Sequence, residues 1–194
     1  METPRSIVRH TNFNEEWRAS ATNEPRPTDI LGAVHIRHAE RTDASLLKQL
    51  ISEMGHHQRM QVFTSEERLA ADGFGVKARF RALIAEADKE VAGYALFFDC
   101  YSSFQGSGIF LEDLFVRDQF RSKGVAKALL ARITEIAIEC NCFGIMLNVL
   151  DWNQSALQFF ESAGASVMCE RKTLSLTGKP LAEIAQHESV RANR

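Results

Sequence analysis

The sequence predicts an α/β fold, a mixed and mostly antiparallel central sheet with helices on both faces. Three observations carry this. Strand-like runs from Phe80 to Ala85, Val91 to Phe98 and Gly108 to Val116 follow one another across short turns, the pattern of an antiparallel meander. The segment Lys123–Cys140 then carries Val125, Leu129, Leu130, Ile133, Ile136, Ala137 and Cys140 at helical spacing. Beyond it, strand and helix patterns alternate almost to the last residue.

Residues 1–33 hold three of the four prolines (Pro4, Pro25, Pro27), are rich in polar residues and show no sustained periodicity. They offer little apolar surface to offset ordering entropy, so they read as a flexible or loosely docked extension ahead of a domain at residues 34–194. Alternation from Ala33 to Arg37 predicts the first strand. Asp43 is placed to cap a helix with Leu46, Leu47, Leu50, Ile51 and Met54 on one face and Gly55 near its end. A second helix begins at Thr64–Ser65, with Glu66 and Glu67 suited to its positive end, and stops at Asp72–Gly73. Asp88, Lys89 and Glu90 make the first hairpin turn, and Tyr101 to Ser107, with Gly106, the second. After the long helix, Gly144 to Leu150 is apolar on both faces and reads as a central strand. Asn153 caps a helix from Ser155 to Ala163 that ends at Gly164. Val167 to Leu176 predicts one more strand, and Leu181 to His187 a final short helix.

Composition narrows the function classes. A formal net charge of -2 over 194 residues lacks the basic excess of a general nucleic-acid binder. No apolar run approaches the roughly 20 residues that span a bilayer. The first twenty residues contain no apolar signal-peptide core, and Glu15 and Glu16 argue against a transit peptide, so a cytoplasmic location is expected. Cys100, Cys140, Cys142 and Cys169 form no CxxC pair and have no accompanying histidine constellation. They read as reduced packing residues, with no metal site.

The stretch with the most chemistry runs from Leu111 to Lys127. A strand leads through a short loop into a helix whose first turn contains Gly124 and Ala126. Helix N-termini expose unpaired N–H groups and a partial positive charge, and so receive phosphate. Gly124 lets an anion approach the backbone, while Arg121, Lys123 and Lys127 add charge. Neither GxGxxG nor GxxxxGK[ST] is present, which sets aside Rossmann and P-loop sites.

Arg121-Ser-Lys-Gly124-Val-Ala126 resembles the acetyl-CoA motif of GNAT N-acetyltransferases, Arg/Gln-x-x-Gly-x-Gly/Ala. Leu150 to Ala165, with Asn153, Phe160 and Gly164, resembles the second GNAT signature. Asp72-Gly-Phe-Gly75 and Leu111-Glu-Asp-Leu-Phe-Val116 resemble the diamine (spermidine/spermine) branch. The likeness runs from about Ile36 to the final helix. It implies acetyl transfer from acetyl-CoA, as cosubstrate, to a primary amine of a polyamine, a diamine or a lysine-like small molecule. Leu114, Phe115 and Val116 would pair with the pantetheine arm as an added strand would. Ser122 to Lys127, including Val125, would hold the pyrophosphate, and Asn153, assisted by Ser155, would reach the pantetheine amides. The resemblance puts the cofactor where the strand ending at Val116 splays from the one running to Leu150. It also implies a homodimer joined through C-terminal sheet strands, for which Val167 to Leu176 offers an unprotected edge.

A primary amine of pKa about 10 is protonated at neutral pH and must lose its proton before attacking a thioester. Glu112 matches the family position for that base, whereas Asp113 falls on the opposite face and reads as structural. A backbone N–H near Phe115 would face the tetrahedral oxyanion. Two departures stand out. Phe160 occupies the place of the tyrosine that protonates the leaving thiolate, leaving Tyr94, Tyr101, Cys169 or water as donors. Gln58 replaces a glutamate that attracts polyamines, with His56 and His57 beside it, which makes His57, Gln58 and Glu112 the expected substrate-side residues. Phe160 also motivates a second reading, a weakened acetyl-CoA-binding regulatory module. The extension motivates a third, a protein or peptide N-acetyltransferase.

Overall fold

Every strand of the predicted meander forms. The computed structural model describes residues 30–31, 34–168 and 172–191. Its strands are β1 (Ile30–Leu31), β2 (Val34–His38), β3 (Arg81–Ala87), β4 (Glu90–Ser102), β5 (Gly106–Val116) and β6 (Ile145–Leu147), joined in that order in one sheet. All neighbours are antiparallel except β5 and β6, which are parallel. Asp88 and Lys89 both have φ in the left-handed region, 54° and 65°, which matches the twist of the β3–β4 hairpin. β1 lies within the span assigned to the extension and pairs with β2, Ile30 opposite His35 and Leu31 opposite Val34; residues 1–29 and 32–33 lie outside the described residues.

The helices are α1 (Ala44–Gln58), α2 (Glu66–Gly73), α3 (Val125–Glu139), α4 (Gln154–Ser162) and α5 (Gly178–Arg191), with 3-10 turns at Arg41–Asp43 and Asp118–Phe120. Side chains alternate across a sheet, and the two faces take different helices. Ala82, Tyr94, Leu96 and Phe115 cluster with Leu47, Leu50 and Ile51 of α1 and Leu69 of α2. Leu83, Ala95 and Phe97, on the alternate positions, are fully buried, and α3 packs across β2, β3, β4 and β5. Each such leucine or phenylalanine contributes about 1.5–3 kcal/mol on burial. The described residues up to 148 and those from 149 on form two compact units, the second holding α4 and α5.

Ser65, at the start expected for the second helix, caps α2, accepting from the Arg68 N–H at 3.2 Å. Asp43 does not cap α1. Its carboxylate accepts from Arg37 Nη1 and Nη2 at 2.7 and 2.9 Å and from the Glu40 N–H at 2.8 Å. A bidentate guanidinium outcompetes a single helix amide for the same oxygens.

The strand expected over 144–150 shortens to Ile145–Leu147 and forms the sheet's edge, not its centre. The further strand expected over Val167 to Leu176 is not formed over the described residues 167–168 and 172–176; residues 169–171 lie outside them. With a ladder on one side only, β6 keeps three pairs and its side chains stay half-buried. The final helix runs well beyond Leu181–His187. It begins at Gly178, with Pro180 in a first turn that needs no N–H from it, and Lys179 lies 3.4 Å from Glu183 one turn on.

Candidate active site

The site is built on β5. On one side this strand pairs with β4 along its whole length, from Ser102–Gly106 to Gly93–Val116. On the other it pairs with β6 only at Ile109, Phe110 and Leu111. Among the described residues, 112–116 therefore run on past the last β6 pair with no strand on that side, and Leu114, Phe115 and Val116 lie within this open stretch. The β4 register steps from Asp113 opposite Leu96 to Leu111 opposite Phe97, so Glu112 is the extra residue of a bulge. Bulges bend the strand and re-aim a side chain, and Glu112 is exposed at this one. Gly93 lies opposite Val116, where a Cβ would overlap the Phe115 carbonyl oxygen; only glycine allows the close approach that holds this end of β5.

From Val116 the chain passes through the Asp118–Phe120 turn into α3. Gly124, with φ 85°, is the N-cap residue, and no side chain caps the helix. The first-turn amides thus keep the unpaired donors that a phosphate would take. Ser122 is also left-handed, at φ 60°, which turns the loop sharply before the helix. Arg121, Ser122, Lys123, Gly124 and Lys127 are exposed, Ala126 half-buried, and Val125 buried as the helix's anchor. Arg121 is turned back on its own loop, 2.9 Å from Asp118 and 3.4 Å from the Val116 carbonyl. The Lys123 ammonium lies 5.3 Å from the centre of the Phe120 ring. These groups fit a pyrophosphate.

A groove beside this end of β5 is lined by Glu53, His56 and His57 of α1 together with Phe115, Arg117 and Asp118. Arg117 holds its wall: its guanidinium donates to both oxygens of Glu53 at 2.8 Å and to the Val91 carbonyl at 2.9 Å. That bidentate bond is the main reason the Glu53 carboxyl is held below its usual range. His57 Nε2 lies 3.5 Å from Arg121 Nη2, which brings one expected substrate-side residue to the expected cofactor loop. Gln58, half-buried at the end of α1, does not line the groove.

Behind the bulge, the Tyr94 hydroxyl donates to Asp113 Oδ2 at 2.9 Å and lies 3.6 Å from Met54 Sδ. Tyr94 is 0% exposed, so its hydroxyl is not available to protonate a leaving thiolate. Desolvation pushes the Asp113 carboxyl up to about 6 against the opposing pull of the Tyr94 hydrogen bond. Desolvation and the Asp113 carboxylate in turn push the Tyr94 phenol far above its ordinary value.

Asn153, Ser155 and Phe160 belong to the second unit. The Asn153 side chain caps α4, accepting from the Ala156 N–H at 3.2 Å, and Ser155 Oγ donates to the same oxygen at 3.1 Å. Phe160 is the buried residue of α4, its ring edge-on to Phe159 at 5.1 Å. Among the described residues no three His, Cys, Asp or Glu side chains group as metal ligands would, and no helix is long and apolar enough to cross a membrane. Cys100, Cys140 and Cys142 are half-buried, and desolvation pushes the Cys142 thiol up to about 11; Cys169 lies outside the described residues. Sequence reasoning missed the Glu53–Arg117 and Tyr94–Asp113 pairs, since neither spacing nor composition marks a bond between elements far apart in the chain.

An open strand edge that leads directly into an anion cradle suits a long thioester carrying a pyrophosphate, and it puts this protein in the class of acetyl-CoA-dependent transferases. Residues 45–165 match the family described as Acetyltransferase (GNAT) family, and the chain belongs to it. Thialysine N-epsilon-acetyltransferase of Bos taurus is 35% identical over 147 residues, 71% of this chain and 86% of that protein. Spermidine/spermine N(1)-acetyltransferase-like protein 1 of Homo sapiens is 33% identical over 141 residues, 67% of this chain and 20% of that protein. An integron cassette protein from the mobile metagenome of V. cholerae shares the fold, with a TM-score of 0.66 at 24% identity over 79% of this chain and 98% of that one. The protein is an acetyl-CoA-dependent N-acetyltransferase.

The raised Asp113 carboxyl has a consequence for stability. Because the folded-state value, about 6, lies above the ordinary 3.8, the fold favours the neutral acid. That stabilisation is complete below pH 3.8 and is lost as pH rises through about 6. Asp113→Asn stays neutral at every pH. It should melt above the wild type at pH 8, by at most about 3 kcal/mol, with the gap closing toward pH 4. Thermal melts across that range would show it, and a pH-independent gap would contradict it.

Proposed function

We propose that this enzyme acetylates the primary amine of a small polyamine, diamine or lysine-like molecule. The observation that carries the proposal is the exposed bulge residue Glu112, set at the start of the open backbone edge of β5. Glu112 takes a proton from the ammonium, directly or through one water. The freed nitrogen attacks the acetyl carbonyl, the C–S bond breaks with CoA departing as thiolate, and the second N–H proton passes to that thiolate or to water, leaving the neutral amide. Leu114 to Val116 bind the pantetheine arm by backbone pairing, Ser122 to Lys127 bind the pyrophosphate with Arg121 nearby, and Asn153 and Ser155 meet the pantetheine amides. His57 lies on the substrate side, whereas Gln58, outside the groove, has no part in this reading. Phe160 brings no hydroxyl to the sulfur; a thiol of pKa about 8.5 still leaves as its anion. Relatives named for thialysine and spermidine/spermine support a small amine, and a cytoplasmic location accords with it. Thiol release measured with polyamines, thialysine, amino acids and lysine peptides tests the class. Turnover confined to peptides would replace it with the peptide reading, and acetyl-CoA binding without turnover on any amine would favour the weakened module that Phe160 suggests.

A homodimer accompanies this reading. Met168, Leu174, Leu176, Leu181 and Ile184 are all more than half exposed, an apolar run that a second copy would cover. Over the described residues 167–168 and 172–176 there is no strand, so this reading takes side-chain packing as the contact. Light scattering at micromolar concentration should give twice 21.8 kDa; a mass of one chain would remove the dimer.

Two substitutions separate cofactor binding from chemistry. Gly124→Glu puts bulk and negative charge at the cradle, and acetyl-CoA affinity by titration calorimetry should fall well beyond the tenfold that about 1.4 kcal/mol represents. Near-normal affinity in a folded variant would sink the cradle. Glu112→Gln should lower kcat/KM by about 10²-fold or more with acetyl-CoA affinity intact, as loss of a general base does. Wild-type rates would leave proximity as the main catalytic effect.

A further inference from the structure

A bulge frees one residue of a strand from its ladder partner, and the ladder alone does not settle which residue that is. Ahead of the bulge, β5 is pinned by the stacked rings of Phe98 and Phe110, 5.2 Å apart, and by the β6 pairs at Ile109 to Leu111. Immediately after it, the pin is polar. The Tyr94 hydroxyl donates to Asp113 Oδ2 at 2.9 Å, Met54 Sδ of α1 lies 3.6 Å from the same hydroxyl, and the Tyr94 and Phe115 rings lie 6.2 Å apart. A slip of one residue would carry Asp113 to the other face of the sheet and break that bond. An apolar side chain would fill the place at lower cost, since burying a carboxylate is unfavourable even with a partner.

We propose that the Tyr94–Asp113 hydrogen bond fixes the bulge at Glu112 and so aims the Glu112 carboxylate; Tyr94 and Asp113 are positioning residues for acetyl transfer. The inference rests on Glu112 acting as the base. Glu112 on the same strand and Tyr94 from β4 are the titratable groups acting on Asp113, while α1 presents Met54, its neighbour Glu53 being bonded to Arg117.

The test is a cycle on the intact protein. Tyr94→Phe and Asp113→Leu should each lower kcat about tenfold while the acetyl-CoA dissociation constant stays within about twofold, and Tyr94→Phe should cause no further loss in a Glu112→Gln background. Asp113→Asn, which can still accept from Tyr94, should recover most of the rate lost in Asp113→Leu. Backbone amides at 112–115 should exchange with solvent faster in Tyr94→Phe than in wild type. Wild-type kcat in Tyr94→Phe, a full repeat of its loss in the Glu112→Gln background, or an Asp113→Asn as slow as Asp113→Leu would each overturn the inference. If Glu112→Gln itself is fully active, the base reading is what has failed. Amide exchange then decides the clamp alone: faster exchange upholds it and unchanged exchange overturns it.

Discussion

β5 has to satisfy two opposite demands along one backbone. Its β4 side must stay paired to the end, because Tyr94, Phe115 and Leu96 belong to the cluster that seats α1 and α2. Its β6 side must be free past Leu111 if an extended ligand is to pair there. A parallel neighbour meets the second demand simply by ending, and β6 ends after three residues. A bulge meets the first by absorbing a bend without breaking the ladder. Gly93 completes the arrangement, because the approach of the Phe115 carbonyl leaves no room for a Cβ. The exposed carboxylate, the open edge and the approach to the anion cradle all follow from how this one strand is paired.

Placement of α1 depends on a different interaction, repeated at its two ends. Arg37, reaching from β2, grips Asp43 just before the helix begins. Arg117, just past β5, grips Glu53 near its end. Both are bidentate guanidinium–carboxylate bonds, whose fork geometry fixes direction as well as distance. The helix then terminates on a left-handed Arg59 whose neighbour Met60 donates back to the Gly55 carbonyl at 2.8 Å. His56 and His57 are therefore carried by a helix anchored at both ends, and His57 faces the cradle arginine across a short gap.

What the sequence makes legible is what is local. The meander shows in its apolar runs and turn residues, α2 in Ser65 and its first-turn glutamates, and the cradle in a glycine where a helix starts on basic flanks. Glu112 was legible as a base only through family resemblance, because one glutamate in a strand pattern looks like any surface residue. Its bulge could not be read at all, since an extra residue is defined only against the partner strand. Asp43 misled for a related reason: it carries every mark of a cap, yet Arg37 from another element takes its oxygens. The stretch 144–150 misled because an apolar run looks the same whether a strand lies on one side of it or two, and among the described residues only β5 pairs with it. Tyr94 and Asp113 lie nineteen positions apart on two strands, so the bond between them exists only once the register is set.

Charge links these features to turnover. The protein is close to neutral overall, yet the end of β5 is acidic and the loop that follows it is basic in balance, with Asp118 its one carboxylate, paired to Arg121. Glu112 and Asp113 precede the open edge, and Arg117, Arg121, Lys123 and Lys127 follow it. On the proposed reading of the site, a cationic amine and an anionic pyrophosphate are drawn to opposite ends of one strand, with the thioester lying between them. Acetylation changes that balance on one side only. The amine arrives as a cation and leaves as a neutral amide, so the Glu112 carboxylate proposed to meet the substrate has no Coulombic hold on the product. The CoA product keeps the phosphate charges that held its precursor, so the cradle retains it more strongly than the carboxylate end retains the amide. On the proposed reading of the site, the acetylated amine leaves first and CoA follows, an order set by which product has lost its charge.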